Sequence, residues 1–201
     1  MTAPSFTINF DYRCPFARNA NEHVIAALAG GADYEVSFKA FSLSQVHVAD
    51  GEPSVWETPE KRPEILALAA GVVVRDRFRE YFPAAHLSLF AVRHDDGDDL
   101  RDEAKLRNAL TRVGVDADVV FAEISAGWPF EVVQREHEES VAQHAVFGVP
   151  TFGLDSAAVF VRLMDRPEGN EKHARDTIDQ VLDLLANSPR LNEFKHTSIP
   201  R

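Results

Sequence analysis

Cys14 is the only cysteine of the chain, and it stands in the run Asp11-Tyr12-Arg13-Cys14-Pro15-Phe16-Ala17. Before it, Phe6, Ile8 and Phe10 alternate with polar residues at strand period, and from Pro15 onward the sequence reads as a helix opened by proline. A thiol at such a junction faces the free N–H groups and the positive end of the helix. Both favour the thiolate and predict a pKa below the ~8.5 of a free cysteine. Arg13 and Arg18 are candidates for adding positive charge. The chemistry on offer is nucleophilic attack on a disulfide or another electrophile. A Cys-x-x-Cys pair would place its second thiol at position 17, where Ala17 stands. Disulfide chemistry at Cys14 therefore runs on one thiol, and a mixed disulfide formed there needs an external thiol for its release.

The other chemistry-bearing residues offer less. His137 and His144 share a helical face with Val133 and Ser140. Their spacing is two turns, ~10 Å of rise, whereas two zinc ligands must each lie ~2.0–2.1 Å from one ion. His144 is a candidate for lining the site. No HExxH and no Cys-His cluster occurs, so no metal is expected. The acidic run Asp95-Asp96-Gly97-Asp98-Asp99 lacks the spaced ligands and closing glutamate of an EF-hand and reads as a solvated loop. No glycine-rich phosphate loop or dinucleotide fingerprint is present, so no tightly bound cofactor is expected.

The whole composition sets the frame for this site. At 201 residues the length suits one domain, or one domain with a large insertion. A formal net charge of −11 argues against nucleic acid and anionic membrane as main partners, because both reward clustered Lys and Arg. No apolar run approaches the ~20 residues that span a bilayer. Met1 to Ser5 carries neither a positive n-region nor an apolar h-region, so the expected location is the cytoplasm. A lone cysteine forms no internal disulfide, and the fold must stand on its core.

The elements that position Cys14 follow from pattern. A strand over Phe6–Phe10 leads to a helix from Pro15 to about Leu28, stopped by Gly30-Gly31. A second strand is marked by Tyr34, Val36, Phe38 and Ala40. A β-α-β unit of this kind implies parallel strands and a right-handed crossover. Residues 44–58 read as loop, and helical spacing then dominates: Ile65, Leu68, Ala69 and Val72; Leu106, Ala109, Leu110 and Val113; Val119 to Ile124; Val132 to Ala145. Beta character returns at Val146-Phe147-Gly148-Val149-Pro150-Thr151-Phe152, with a hairpin of strands Thr151–Leu154 and Ala158–Leu163 around Asp155-Ser156. Ile178, Val181, Leu182 and Leu185 mark a last amphipathic helix, ended at Asn187-Ser188-Pro189.

With Cys14-Pro15 after the first strand and Gly148-Val149-Pro150-Thr151 opening the hairpin, this order resembles the DsbA-like branch of the thioredoxin superfamily. Within that branch it is most similar to the FrnE and 2-hydroxychromene-2-carboxylate isomerase group. The tail Phe194-Lys195-His196-Thr197 is similar to actinobacterial members that work with mycothiol. The resemblance implies an α/β fold, a thioredoxin-like core with a large α-helical insertion, divided as core 1–50, insertion 51–146 and core 147–201. It implies that Cys14 is the catalytic residue. It further implies that Pro150 is cis beside it, that Val149 offers its backbone to an incoming thiol partner, and that Pro15, Phe16, Ala17 and Thr151 complete the thiol- and substrate-binding surface. The expected activity is monothiol thiol-disulfide oxidoreduction with mycothiol or glutathione as co-substrate, acting on a disulfide or electrophilic small molecule. Monomer and homodimer are both open. The chain departs from the group's well-studied oxidoreductases at Ala17, where they carry cysteine. A rival reading is a thiol-cofactor-dependent isomerase or kappa-class glutathione-transferase-like enzyme, in which Cys14 contacts a bound thiol. A third is a binding protein on a redox scaffold, without turnover.

Overall fold

The computed structural model describes residues 3–199. Its sheet holds four strands, β1 (Ser5–Phe10), β2 (Glu35–Ala40), β3 (Thr151–Leu154) and β4 (Ala157–Phe160), in the order β2-β1-β3-β4. β1 pairs parallel with β2 and antiparallel with β3, and β4 closes the hairpin against β3. The parallel pair is joined by α1 (Pro15–Ala29), as the β-α-β pattern requires.

Two layers of helix cover this sheet. On one face α1 and α8 (Glu171–Asn187) bury Phe6, Ile8 and Phe152 against Ala20, Val24, Ile178, Val181, Leu182 and Leu185. The other face takes α7 (Trp128–His144), attached by buried polar contacts: Asn9 Nδ2 donates to Ser140 Oγ at 2.9 Å, and the Ala40 amide donates to Glu136 Oε2 at 2.7 Å. Arg75 pairs with Glu136 at 2.8 Å, so the carboxylate buried at this junction is balanced by a cation.

Between β2 and β3 lies the helical insertion: α2 (Leu43–Val46), a 3₁₀ segment (Pro59–Ile65), α3 (Leu66–Arg77), α4 (Phe82–His94), α5 (Glu103–Arg112), α6 (Ala117–Ser125) and α7. α3 is its centre, buried continuously from Ala67 to Val74. The insertion shares one core with the C-terminal end of β1, where Phe10, Tyr12 and Cys14 join it.

Two expected elements change. Part of the 44–58 loop is the helical turn α2, because Ser42 Oγ accepts the Gln45 amide at 3.1 Å and caps it. The last strand ends at Phe160, short of Leu163, because Pro150 on the facing segment has no N–H to continue the ladder. One further bond, from the Val161 amide to the Pro150 carbonyl at 3.1 Å, closes the pairing.

Candidate active site

Cys14 is the N-cap of α1, with extended backbone (φ −92°, ψ 119°) and Pro15 in the first turn. Its amide donates to the Asp11 carbonyl at 3.0 Å, which folds the chain back from β1 into the helix. The thiol then meets two backbone groups. Sγ accepts the Ala17 amide at 3.4 Å, and the S–H donates to the Val149 carbonyl at 3.2 Å. Residues 14 and 149 are thus joined directly, and the Val149–Pro150 peptide bond is cis.

Cys14 is only 8% exposed, and this burial works against the expected thiolate. Burial pushes the Cys14 thiol above its ordinary value, outweighing the Ala17 and Phe16 amides that pull it down. Asp11 adds to the rise and Arg162 opposes it. The arginines expected to supply charge are engaged elsewhere. Arg13 pairs with Glu64, and Arg18 lies 2.9 Å from Glu22 and 2.5 Å from Asp95. Arg162 instead lies over the Phe16 ring, 5.2 Å from its centroid, and forms no ion pair among the described residues.

The remaining expected site residues separate into rim and scaffold. Pro15 is exposed and Phe16 half-buried, so both lie at the surface of the turn that holds Cys14. Ala17 is fully buried and contributes its amide. Thr151 is buried, and its hydroxyl donates to the Gly148 carbonyl at 2.8 Å, so it holds the loop in shape. His137 is a neutral packing residue: it accepts the Ser42 amide at 3.2 Å, lies against Phe41, and burial lowers its pKa to about 4.

Four features escaped the sequence. Asp11 is buried and receives the Arg13 and Leu43 amides at 2.9 and 2.8 Å, while burial raises its pKa. Arg162 follows Phe160 by two residues, so only the hairpin register signals its placement. Phe147 and Phe160 form an exposed aromatic pair with centroids 5.2 Å apart. Finally, a buried chain anchors the site from behind. The Tyr12 hydroxyl meets His86 Nδ1 at 2.7 Å, His86 Nε2 meets Asn21 Oδ1 at 3.0 Å, and Asn21 Nδ2 donates to the Ala17 carbonyl at 2.7 Å. Because Asn21 Oδ1 only accepts, His86 carries its proton on Nε2 and Nδ1 accepts from Tyr12.

A parallel-antiparallel sheet, a thiol at the N-terminus of its first helix and a proline loop opposite that thiol define a thioredoxin-like protein. The model of the DSBA-like thioredoxin domain matches residues 7–169, and the chain belongs to that family. Its sequence is 26% identical over 203 residues to the uncharacterised protein Rv2286c of Mycobacterium tuberculosis, covering 100% of this chain and 84% of that one. Among solved structures it is similar to a 2-hydroxychromene-2-carboxylate isomerase (TM-score 0.61, 16% identity, 92% of this chain and 98% of that one). It is also similar to the cytosolic disulfide reductase DsbM of Pseudomonas aeruginosa with GSH (0.61, 13%, 90% and 100%) and to DsbA of the same organism (0.56, 16%, 94% and 88%). At these identities the structural likeness speaks for the fold.

Proposed function

We propose that the chain is a monothiol thiol-disulfide oxidoreductase that uses Cys14 with an external low-molecular-weight thiol, mycothiol or glutathione. The observation that carries this reading is the Cys14 sulfur seated between the helix amide of Ala17 and the Val149 carbonyl, in a chain with no second cysteine. After loss of the thiol proton to solvent, the sulfur attacks a disulfide R–S–S–R′. A Cys14–S–S–R bond forms and R′S⁻ leaves. A free small thiol then attacks the mixed disulfide, returns Cys14 as thiolate and carries R away as a new disulfide. The burial that raises the thiol pKa lowers the thiolate fraction, and the higher basicity makes that thiolate the stronger nucleophile. The mixed disulfide is uncharged at sulfur and bears no such desolvation cost. Phe16, Phe147 and Phe160 offer stacking surface to the apolar part of a partner. The cytoplasm, where small thiols are kept reduced, is the setting this cycle needs.

Intact mass after exposure to oxidised mycothiol and to oxidised glutathione tests the reading. One adduct on Cys14 is expected, stable until free thiol is added. A chain that forms no adduct with either is not a nucleophile toward disulfides.

One observation favours a second reading, a thiol-cofactor-dependent isomerase or transferase. Burial keeps the Cys14 thiol protonated, so its one S–H, given up by the Val149 carbonyl when a thiol binds, suits a donor to that thiol's sulfur. Turnover of an electrophile that survives Cys14→Ser selects this reading over the first.

A further inference from the structure

His23, Asp165 and His173 come together although they are scattered along the chain. His23 lies in α1, Asp165 in the segment after β4, and His173 in the first turn of α8, where the Asn170 side chain caps the helix. The cluster sits about 13 Å along α1 from Cys14, at 1.5 Å per residue.

His23 is fully buried, and its two ring nitrogens have different lots. Nδ1 lies 2.9 Å from the Asn19 carbonyl, an acceptor only, so Nδ1 carries the proton. Nε2 then presents a bare lone pair. It is buried and has no hydrogen-bond partner among the described residues. A buried unpaired acceptor has lost its water without a replacement, and a cation removes that cost. The geometry is also the one metal-ligating histidines adopt, with the non-ligating N–H fixed on a carbonyl. The His173 ring stands edge-on to His23, centroids 5.4 Å apart, and its Nε2 lies 3.1 Å from Asp165 Oδ2. One ligand atom from each of the three side chains, an imidazole nitrogen of either histidine and a carboxylate oxygen of Asp165, falls within 4.8 Å of the other two. Two donors on one tetrahedral zinc ion lie ~3.3 Å apart. Asp165 and His173 are exposed, so their side chains are free to close the remaining gap.

We propose that His23 Nε2, His173 Nε2 and Asp165 bind one Zn²⁺, with water as fourth ligand. Two imidazoles and a carboxylate suit zinc, whereas magnesium and calcium demand oxygen. No short ligand spacing announces the site, because the fold assembles it from three separate segments. Bound there, the ion ties α8 and the segment after β4 to the helix that carries Cys14.

The test is Zn²⁺ titration by calorimetry of the metal-free full chain, with Cys14→Ser, His173→Ala and Asp165→Ala beside it, plus ¹⁵N imidazole spectra of His23. We expect one equivalent bound by the wild type and by Cys14→Ser, with a rise in melting temperature. In His173→Ala and Asp165→Ala the affinity should fall by more than about tenfold. The His23 Nε2 resonance should shift on binding while Nδ1 stays protonated. Binding that persists unchanged in His173→Ala, that disappears in Cys14→Ser, or that leaves the His23 resonances in place overturns the proposal. So does a wild type that takes up no zinc. Both variants that remove ligands are at exposed positions, so folding does not confound the outcome.

Discussion

At the scale of single residues, the site is a balance around one sulfur. Desolvation and Asp11 hold the Cys14 proton on, while the Ala17 and Phe16 amides and Arg162 draw it off. Arg162 is the exposed member of this set and can be removed cleanly. Arg162→Ala should raise the thiol pKa further and slow alkylation at pH 7 by roughly 1.4-fold to fivefold, the scale of a ~0.2–1 kcal/mol exposed-charge effect. The difference should shrink with added salt. Equal rates at low salt would mean that the guanidinium charge does not reach the sulfur. Ala17 sets the lifetime of any adduct. Its amide lies 3.4 Å from Sγ, so Ala17→Cys puts a resolving thiol within reach. The mixed disulfide should clear without added thiol in this variant and persist in the wild type; equal lifetimes by mass spectrometry would show that the two side chains do not meet. Cys14 and Ala17 were legible in the sequence because the strand-to-helix pattern around them fixes their setting, whereas Val149 and Pro150 came only from the family resemblance. The direction of the thiol shift was not, since it depends on the packing above the sulfur. Neither was Arg162, which reaches the site only through the hairpin.

At the scale of elements, what holds Cys14 in place is the seam between the sheet and the helical insertion. The Tyr12–His86–Asn21 chain spans β1's exit, α4 and α1, and each polar side-chain atom in it has a hydrogen-bond partner. α3 makes room for it at Gly71. A Cβ there would overlap the Tyr12 hydroxyl and lie 2.9 Å from its ring. Tyr12 is buried and its hydroxyl engaged, so it has nowhere to turn. Gly71→Ala should therefore destabilise the fold by about 1–3 kcal/mol, although alanine is the better helix former. An unchanged urea midpoint would mean that Tyr12 moves aside freely. The element order was readable because α1, α8 and the hairpin have clean periods. The helix α3 was found from four apolar positions, but its all-round burial hid which face meets Tyr12. The turn α2 was missed because one capped turn leaves no period, and β4 was overextended because Pro150 limits it from across the ladder.

At the scale of the whole molecule, acid should unfold this protein earlier than its charge suggests. With a net charge of −11 and a pI near 5.1, self-repulsion falls as pH drops from 7 toward 5, which alone would stabilise the fold. Two interior histidines act the other way. Burial lowers His86 to about 3 and His137 to about 4, whereas an unfolded histidine titrates near 6.5. Between 6.5 and those values the unfolded chain binds protons that the folded chain does not. Stability thus rises with pH across this window and is lost as pH falls through it. Each histidine contributes a slope of up to about 1.4 kcal/mol per pH unit. Asp11 opposes this, because its raised value lets the fold take up a proton that the unfolded chain still lacks. One carboxyl does not offset two histidines, and diffuse repulsion among surface charges is screened by salt. We therefore expect urea midpoints at 0.15 M salt to fall steadily from pH 6.5 to about pH 4.5. His94 is lowered by burial in the same direction, so in His86→Gln, which keeps an acceptor and a donor but does not titrate, the slope should drop by roughly a third to a half, whatever its stability at pH 7. A wild-type midpoint that is flat or highest near the pI would show that overall charge, and not the buried imidazoles, governs the response.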